Sequence, residues 1–185
     1  YTLDIGVLSL GYAALSNISI RHIAHRYMEE MSQYVQAPVA MATRDRLNMV
    51  YIDVVQIETA LNMRRPIGST LPIHSSSMGR ACLAATPERE RNFLLDALKQ
   101  KNAENWPAIK RSLERAFRDY QDYGYCLSLG EWHKEVNSVA VPLVSSKHGL
   151  YVFNCGAPSF HLNPEKLEGE IGPRLIHMVH NIQDA

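Results

Sequence analysis

Residues 124–158, GYCLSLGEWHKEVNSVAVPLVSSKHGLYVFNCGAP, decide the fold. They hold three strand-like runs, 125–130, 137–144 and 150–157, rich in Val, Tyr and Phe. The last two are separated only by the turn Ser145 to Gly149. Strands connected this closely pair antiparallel, because a parallel pair needs a long crossover between them. Upstream, 39–44 and 47–57 (LNMVYIDVVQI) form a second hairpin around the polar turn Arg44-Asp45-Arg46.

Helical periods fill the rest. Ser16 and Asn17 are capping residues ahead of a stripe at Ile20, Ile23, Ala24, Tyr27, Met28, Met31, Tyr34 and Val35, which Pro38 ends. A short helix spans 76–85, and Thr86-Pro87 opens another. Asn105-Trp106-Pro107 opens a third, with Ile109, Leu113, Phe117 and Tyr120 inward and Gly124 at its C-terminal cap. Asn163-Pro164 starts the last one, in which Pro173 predicts a kink. Residues 3–15 are a short amphipathic piece interrupted by Gly6 and Gly11. The fold class is α+β: one antiparallel sheet with helices on one face and something else on the other.

Composition narrows the function. The 185 residues can bury a full core, and 46% hydrophobic against 21% charged content is that of an ordinary globular chain. Nineteen basic residues balance nineteen acidic ones, where a domain gripping a phosphate backbone carries a basic excess. Arg44, Arg46, Arg64 and Arg65 therefore read as solvated or self-association residues. The three cysteines, Cys82, Cys126 and Cys155, are far apart and odd in number, which suits a reducing cytoplasm and gives no disulfide framework. No apolar run is long enough to span a bilayer. The chain starts at Tyr1 without a methionine, as a fragment would.

Residues 66–85, PIGSTLPIHSSSMGRACLAA, place a hydroxyl-rich loop directly before a short helix. The loop lacks G-x-x-x-x-G-K-[ST], G-x-G-x-x-G and G-x-S-x-G, so it is neither a phosphate loop nor a nucleophile elbow. It reads either as a plain capped connector or as a helix start whose free N–H groups favour a carboxylate. His22/His25 and His177/His180 are i, i+3 pairs without a third ligand at a recognisable spacing, so they read as solvated or interface histidines rather than a metal site. Asn154, mid-strand in a type of residue that strands disfavour, calls for a reason; Ser138 and Ser128 stand nearby in the adjoining runs. Together they describe either an ordinary sheet with a few bonded polar side chains or a sheet face lined with small polar groups and covered by the 66–78 loop.

The stretch GYCLSLGEWHKEVNSVAVPL resembles the Gly-Tyr, Glu, then Ile-Ala-x-Pro signature of the IclR family of bacterial transcription regulators, through Gly124, Tyr125, Glu131, Val139, Ala140 and Pro142. LPIHSSSMGRACLAA is similar to that family's Leu-His-x-x-x-x-Gly-Lys-Ala-x-Leu-Ala segment, with His74, Gly79, Ala81, Leu83 and Ala84 in place. NCGAP is similar to its last-strand segment, and YTLDIGVLSLG to its linker helix. Arg80 stands where the family has Lys, Ser76-Ser77 replaces a Thr-small pair, and Glu135 replaces a common glycine.

The resemblance covers essentially the whole chain as the C-terminal domain. It implies a GAF-like antiparallel sheet flanked by helices, with residues 1–15 ending a linker from an absent winged-helix domain and 16–185 forming the effector-binding and oligomerisation domain. It implies no catalysis and no cofactor or metal. Partners would be a small-molecule effector, often an organic or aromatic acid, further copies of the chain in a dimer or tetramer, and DNA only through the absent domain, all in the cytoplasm and without membrane contact. The family's ligand positions fall on Met63, Leu71, Ser77, Met78, Ser128, Ser138, Asn154 and Gly156. Amides near Ser77 and Met78 would receive a carboxylate, Ser128, Ser138 and Asn154 would orient it, and Met63 and Leu71 would cover the apolar part. Three other readings stay open: an enzyme using a serine or cysteine, a GAF-like sensor of a nucleotide or pigment, and a pure dimerisation module.

Overall fold

A computed structural model describes residues 4–56 and 66–185. Helices α1 (Gly6–Ser16) and α2 (Ser19–Val35) lead into β1 (Val39–Asp45) and β2 (Asn48–Val55). A short β3 (Thr70–Pro72) precedes α3 (Ser77–Ala85), α4 (Glu88–Lys101) and α5 (Trp106–Tyr123). Then come β4 (Cys126–Leu129), β5 (Val136–Ser145) and β6 (Gly149–Pro158), and finally α6 (Pro164–Lys166), a π turn (Leu167–Ile171) and α7 (Gly172–Asp184).

The six strands form one sheet in the order β3-β2-β1-β6-β5-β4, and every neighbouring pair is antiparallel. The two hairpins expected from the sequence are both present, and they meet where β1 pairs with β6, Val39 opposite Cys155 and Met41 opposite Phe153.

Helices cover both faces, where the sequence suggested one. Helices α2 and α7 pack Met28, Leu175 and Val179 against Met41, Phe153 and Cys155. Helices α3, α4 and α5 pack Met78, Leu83, Leu98 and Leu113 against Ala42, Cys126 and Ala140. The reason is legible in β5, which is buried without interruption from Val136 to Leu143. A strand enclosed on both sides has no solvent-facing row, so from Val139 to Leu143 it reads as a continuous apolar run.

Two further features depart from expectation. β3 lies inside what reads as loop; it is three residues long and ends in Pro72, which an edge strand tolerates. The kink at Pro173 takes the form of the π turn just before it, where Gly172 N–H reaches Leu167 O. A wider turn accommodates a ring that has no N–H to give. Helix α1 buries none of its residues, and Ile5, Leu8, Leu10 and Tyr12 are exposed.

Candidate functional site

The loop that opens α3 is fixed by its own hydroxyls. Ser76 caps the helix: its Oγ accepts from Gly79 N–H at 3.1 Å and donates to Pro72 O at 2.7 Å. Gly79 is required by contact, because a Cβ there would lie 2.1 Å from the Ile73 carbonyl oxygen. The helical ladder starts with Arg80 N–H on Ser76 O at 3.0 Å. Ser77 and Met78 N–H precede the ladder and make no hydrogen bond to a described residue.

Opposite that helix start, the sheet presents small residues in two rows. Ser128, Ser138 and Gly156 are in register across β4, β5 and β6. Ala140, Asn154, Ala40 and Val54 are in register across β5, β6, β1 and β2. Alternation puts both rows on the α3 side of the sheet. The shortness of these side chains leaves a small cavity of about 50 Å³ between sheet and loop, open at one side. A Cβ on Gly156 would come within 3.0 Å of Ser138 Cβ, so glycine keeps that corner open.

Of the positions that the family resemblance names, Leu71, Ser77, Ser138, Asn154 and Gly156 line this cavity. Ser77 and Ser138 hydroxyls meet at 2.8 Å, joining the helix start to the sheet. Asn154 is buried and its carboxamide makes no hydrogen bond to a described residue. Two assigned side chains do not line the cavity. Ser128 donates to Ser75 O at 2.9 Å, so its hydroxyl holds the loop. Met78 points into the core beside Leu83 and Leu113 and is fully buried. Met63 lies outside the described residues.

Sequence reasoning missed Tyr51, Val54, Gln56 and Trp132, which also line the cavity. The β2 residues arrive there through a bulge: Met41 faces Asp53 while Ala42 faces Tyr51, so Ile52 is the extra residue. Strict alternation cannot anticipate that shift. Trp132 left one signal, a large aromatic among the charged residues of a loop.

Arg80, in the position of the family lysine, does not line the cavity. Its guanidinium donates to Leu127 O (2.8 Å), Glu131 Oε2 (2.7 Å), Ser112 Oγ (2.6 Å) and, through Nε, His74 O (3.3 Å). Four acceptors arranged around a plane suit a guanidinium and exceed what an ammonium offers. Glu131 also accepts from Leu129 N–H at 2.8 Å and pairs with Arg115. Burial pushes the Glu131 carboxyl up, but Arg80, the Leu129 amide and Arg115 outweigh it and hold its pKa below the usual value. Burial, then the charges of Arg80 and Lys101, lower the pKa of His74.

The other candidate groups are occupied or solvated. His25 Nδ1 meets Asp53 at 2.8 Å, His177 contacts Asn181 at 3.3 Å, and His22 and His180 are exposed. Among the described residues no cluster of three His, Cys, Asp or Glu is arranged to hold a metal. All three cysteines are buried; burial raises the Cys82 thiol to about 11 and Cys155 to about 12, and Cys126 is raised further still. Such thiols are packing residues rather than nucleophiles. Among the described residues no helix is long and apolar enough to cross a membrane.

A family profile described as bacterial transcriptional regulator IclR C-terminal matches residues 12–183. A crystal structure of an IclR family transcriptional regulator from Brucella abortus is 62% identical with a TM-score of 0.95, covering 100% of this chain and 70% of that one. The HTH-type transcriptional regulator TsaQ1/TsaQ2 of Comamonas testosteroni is 29% identical over 96% of this chain. The present chain spans only 65% of that relative's length. At 16% identity, the inducer-binding domain of PobR from Acinetobacter, solved as a double mutant with 3-hydroxybenzoic acid, shares the fold, with a TM-score of 0.71 over 88% of this chain and 96% of that one. These relatives are transcription regulators, not enzymes.

Proposed function

The chain belongs to the IclR family of bacterial transcription regulators, as its C-terminal domain, and from that premise we propose that it senses a small organic acid on behalf of a cytoplasmic DNA-binding protein. The observation that carries this reading is the cavity itself, with neutral hydrogen-bonding groups gathered against a helix start and apolar walls elsewhere. The unbonded N–H groups of Ser77 and Met78, at the positive end of α3, receive the acid's carboxylate. Ser138 and Asn154 orient it, Gly156 leaves it room, and Leu71 covers its apolar part. Ser128 acts indirectly by holding the loop, and Met63 is assigned to the same cover on the family pattern alone.

The effector changes DNA binding only as far as it prefers one arrangement of the regulator over another. Helix α1 is the connection toward a DNA-binding domain upstream. Of its residues only Leu15, partly buried, packs against this domain, and the exposed Val7, Leu8, Leu10 and Tyr12 are available to the rest of the protein or to a second copy in the oligomer.

Isothermal calorimetry with organic acids, 3-hydroxybenzoate among them, tests the reading. Ser138→Leu and Asn154→Leu place a branched side chain in the cavity. We expect each to abolish the binding of any acid the native protein takes up, with the circular dichroism spectrum preserved. Equal heats from native and variant proteins would remove the acid from this cavity.

A further inference from the structure

We propose that Trp132 selects the apolar group of the effector and that the Arg80–Glu131 pair is the device that holds Trp132 in place; this rests on the cavity being an effector site. The electrostatics lead there. Among the described residues that line the cavity none is charged. Arg80, the one cation of α3, does not line the cavity and is occupied by four acceptors. A carboxylate in this cavity therefore meets only the partial charge of a helix start and neutral hydroxyl and amide groups, which are weaker partners than a cation. Affinity then depends on the apolar contact, and an indole offers the largest area for it.

The loop between β4 and β5 is built to present that indole. Consecutive residues face different ways: Glu131 reaches α3 and α5, while Trp132 lines the cavity. The loop is tied before and after the tryptophan. Leu129 N–H and Ser112 Oγ donate to the Glu131 carboxylate at 2.8 and 3.2 Å. Beyond it, Val136 N–H closes onto His133 O at 2.9 Å, and Ser159 N–H reaches Glu135 O at 2.8 Å. A wall fixed in advance does not have to be ordered when the ligand arrives. Arg80 and Glu131 are thus positioning residues, and Trp132 is the contact.

The chain has two tryptophans, so Trp106→Phe leaves Trp132 as the only indole reporter. In that background, acetate, butyrate, benzoate and 3-hydroxybenzoate are titrated by calorimetry and by indole emission, and indole-3-acetate, itself an indole emitter, by calorimetry alone. We expect ligand-dependent emission and an affinity that rises with apolar size until the cavity is full. In Trp132→Ala the affinity for indole-3-acetate relative to benzoate should rise by roughly tenfold or more, since about 1.4 kcal/mol is tenfold. Trp132→Leu repeats the comparison if the alanine variant loses its fold. Glu131→Gln should weaken benzoate binding and shift the Trp132 emission to the red. Binding with an unchanged affinity ratio in both Trp132 variants overturns the selector role. Unchanged affinity and emission in Glu131→Gln overturns the positioning role. A flat titration of the native protein across the series overturns the acid-sensing reading itself, and this proposal with it.

Discussion

Glu131 shows how one carboxylate can serve both shape and stability. Its pKa is held low by Arg80, the Leu129 amide and Arg115 against the opposing pull of burial. A depressed folded value means the ionised form is favoured in the fold. Its contribution is full above the unfolded pKa and is lost as pH falls through the folded value. We expect urea-unfolding stability of the native protein to fall as pH drops below the ordinary glutamate pKa of about 4.3, with Glu131→Gln showing a shallower decline. Parallel curves for the two proteins would show that the pair carries no acid-sensitive stability. The residue type at such sites is readable in advance, but its engagement is not. Asn154 and Ser138 stood out because strands disfavour Asn and because the run around Ser138 is apolar. Ser128 looked the same, yet its hydroxyl is taken by a carbonyl 53 residues away in sequence. Nothing local to Ser128 encodes where that carbonyl passes.

At the scale of elements, α3 and β2 carry the site in different ways. Helix α3 has nine residues and one side-chain cap, Ser76. Ser76→Ala removes both the acceptor for Gly79 N–H and the donor to Pro72 O, and should cost about 1 kcal/mol in chemical denaturation. A loss within experimental error would mean that packing alone seats the helix. The helices and both hairpins were legible because each depends on nearby sequence. The expected caps Ser16 and Asn17 were not borne out: Ser16 ends α1, Asn17 follows it, and α2 starts after Ile18 with no side-chain cap bond. The bulge in β2 was not, because it depends on what lies across from it. By adding Ile52, the bulge turns Asp53 toward α2, where His25 donates at 2.8 Å and Arg21 lies at 3.6 Å. Asp53 is buried, whereas the neighbouring His25–Glu29 contact is largely exposed. Asp53→Ala should therefore destabilise by about 1–3 kcal/mol, and Glu29→Ala by less than about 0.5 kcal/mol. Equal costs in urea titration would place the tie between helix and strand elsewhere.

The whole molecule is a sheet between two helical layers, and its cysteines sample both. Cys155 belongs to the core under α2 and α7, and Cys82 and Cys126 to the core under α3 and α5. Two of the three sit on β6 and β4, the strands that bring Gly156, Asn154 and Ser128 to the cavity rows, while Cys82 lies in the helix whose start closes it. Burial raises all three thiols, so neither access nor ionisation allows attack on the native state. Labelling by an aromatic disulfide reagent should be negligible in the native protein and reach three thiols after denaturation. If the sheet and both layers open together, the three should label at one slow rate. An acid bound at about 100 times its Kd should slow that rate by about 100-fold for every thiol, because it must leave before the protein opens. Protection confined to Cys82 and Cys126 would instead mean that the α3 layer opens on its own, with the effector acting as its latch. Rapid labelling of any thiol without ligand would contradict the packing of the layer that holds it.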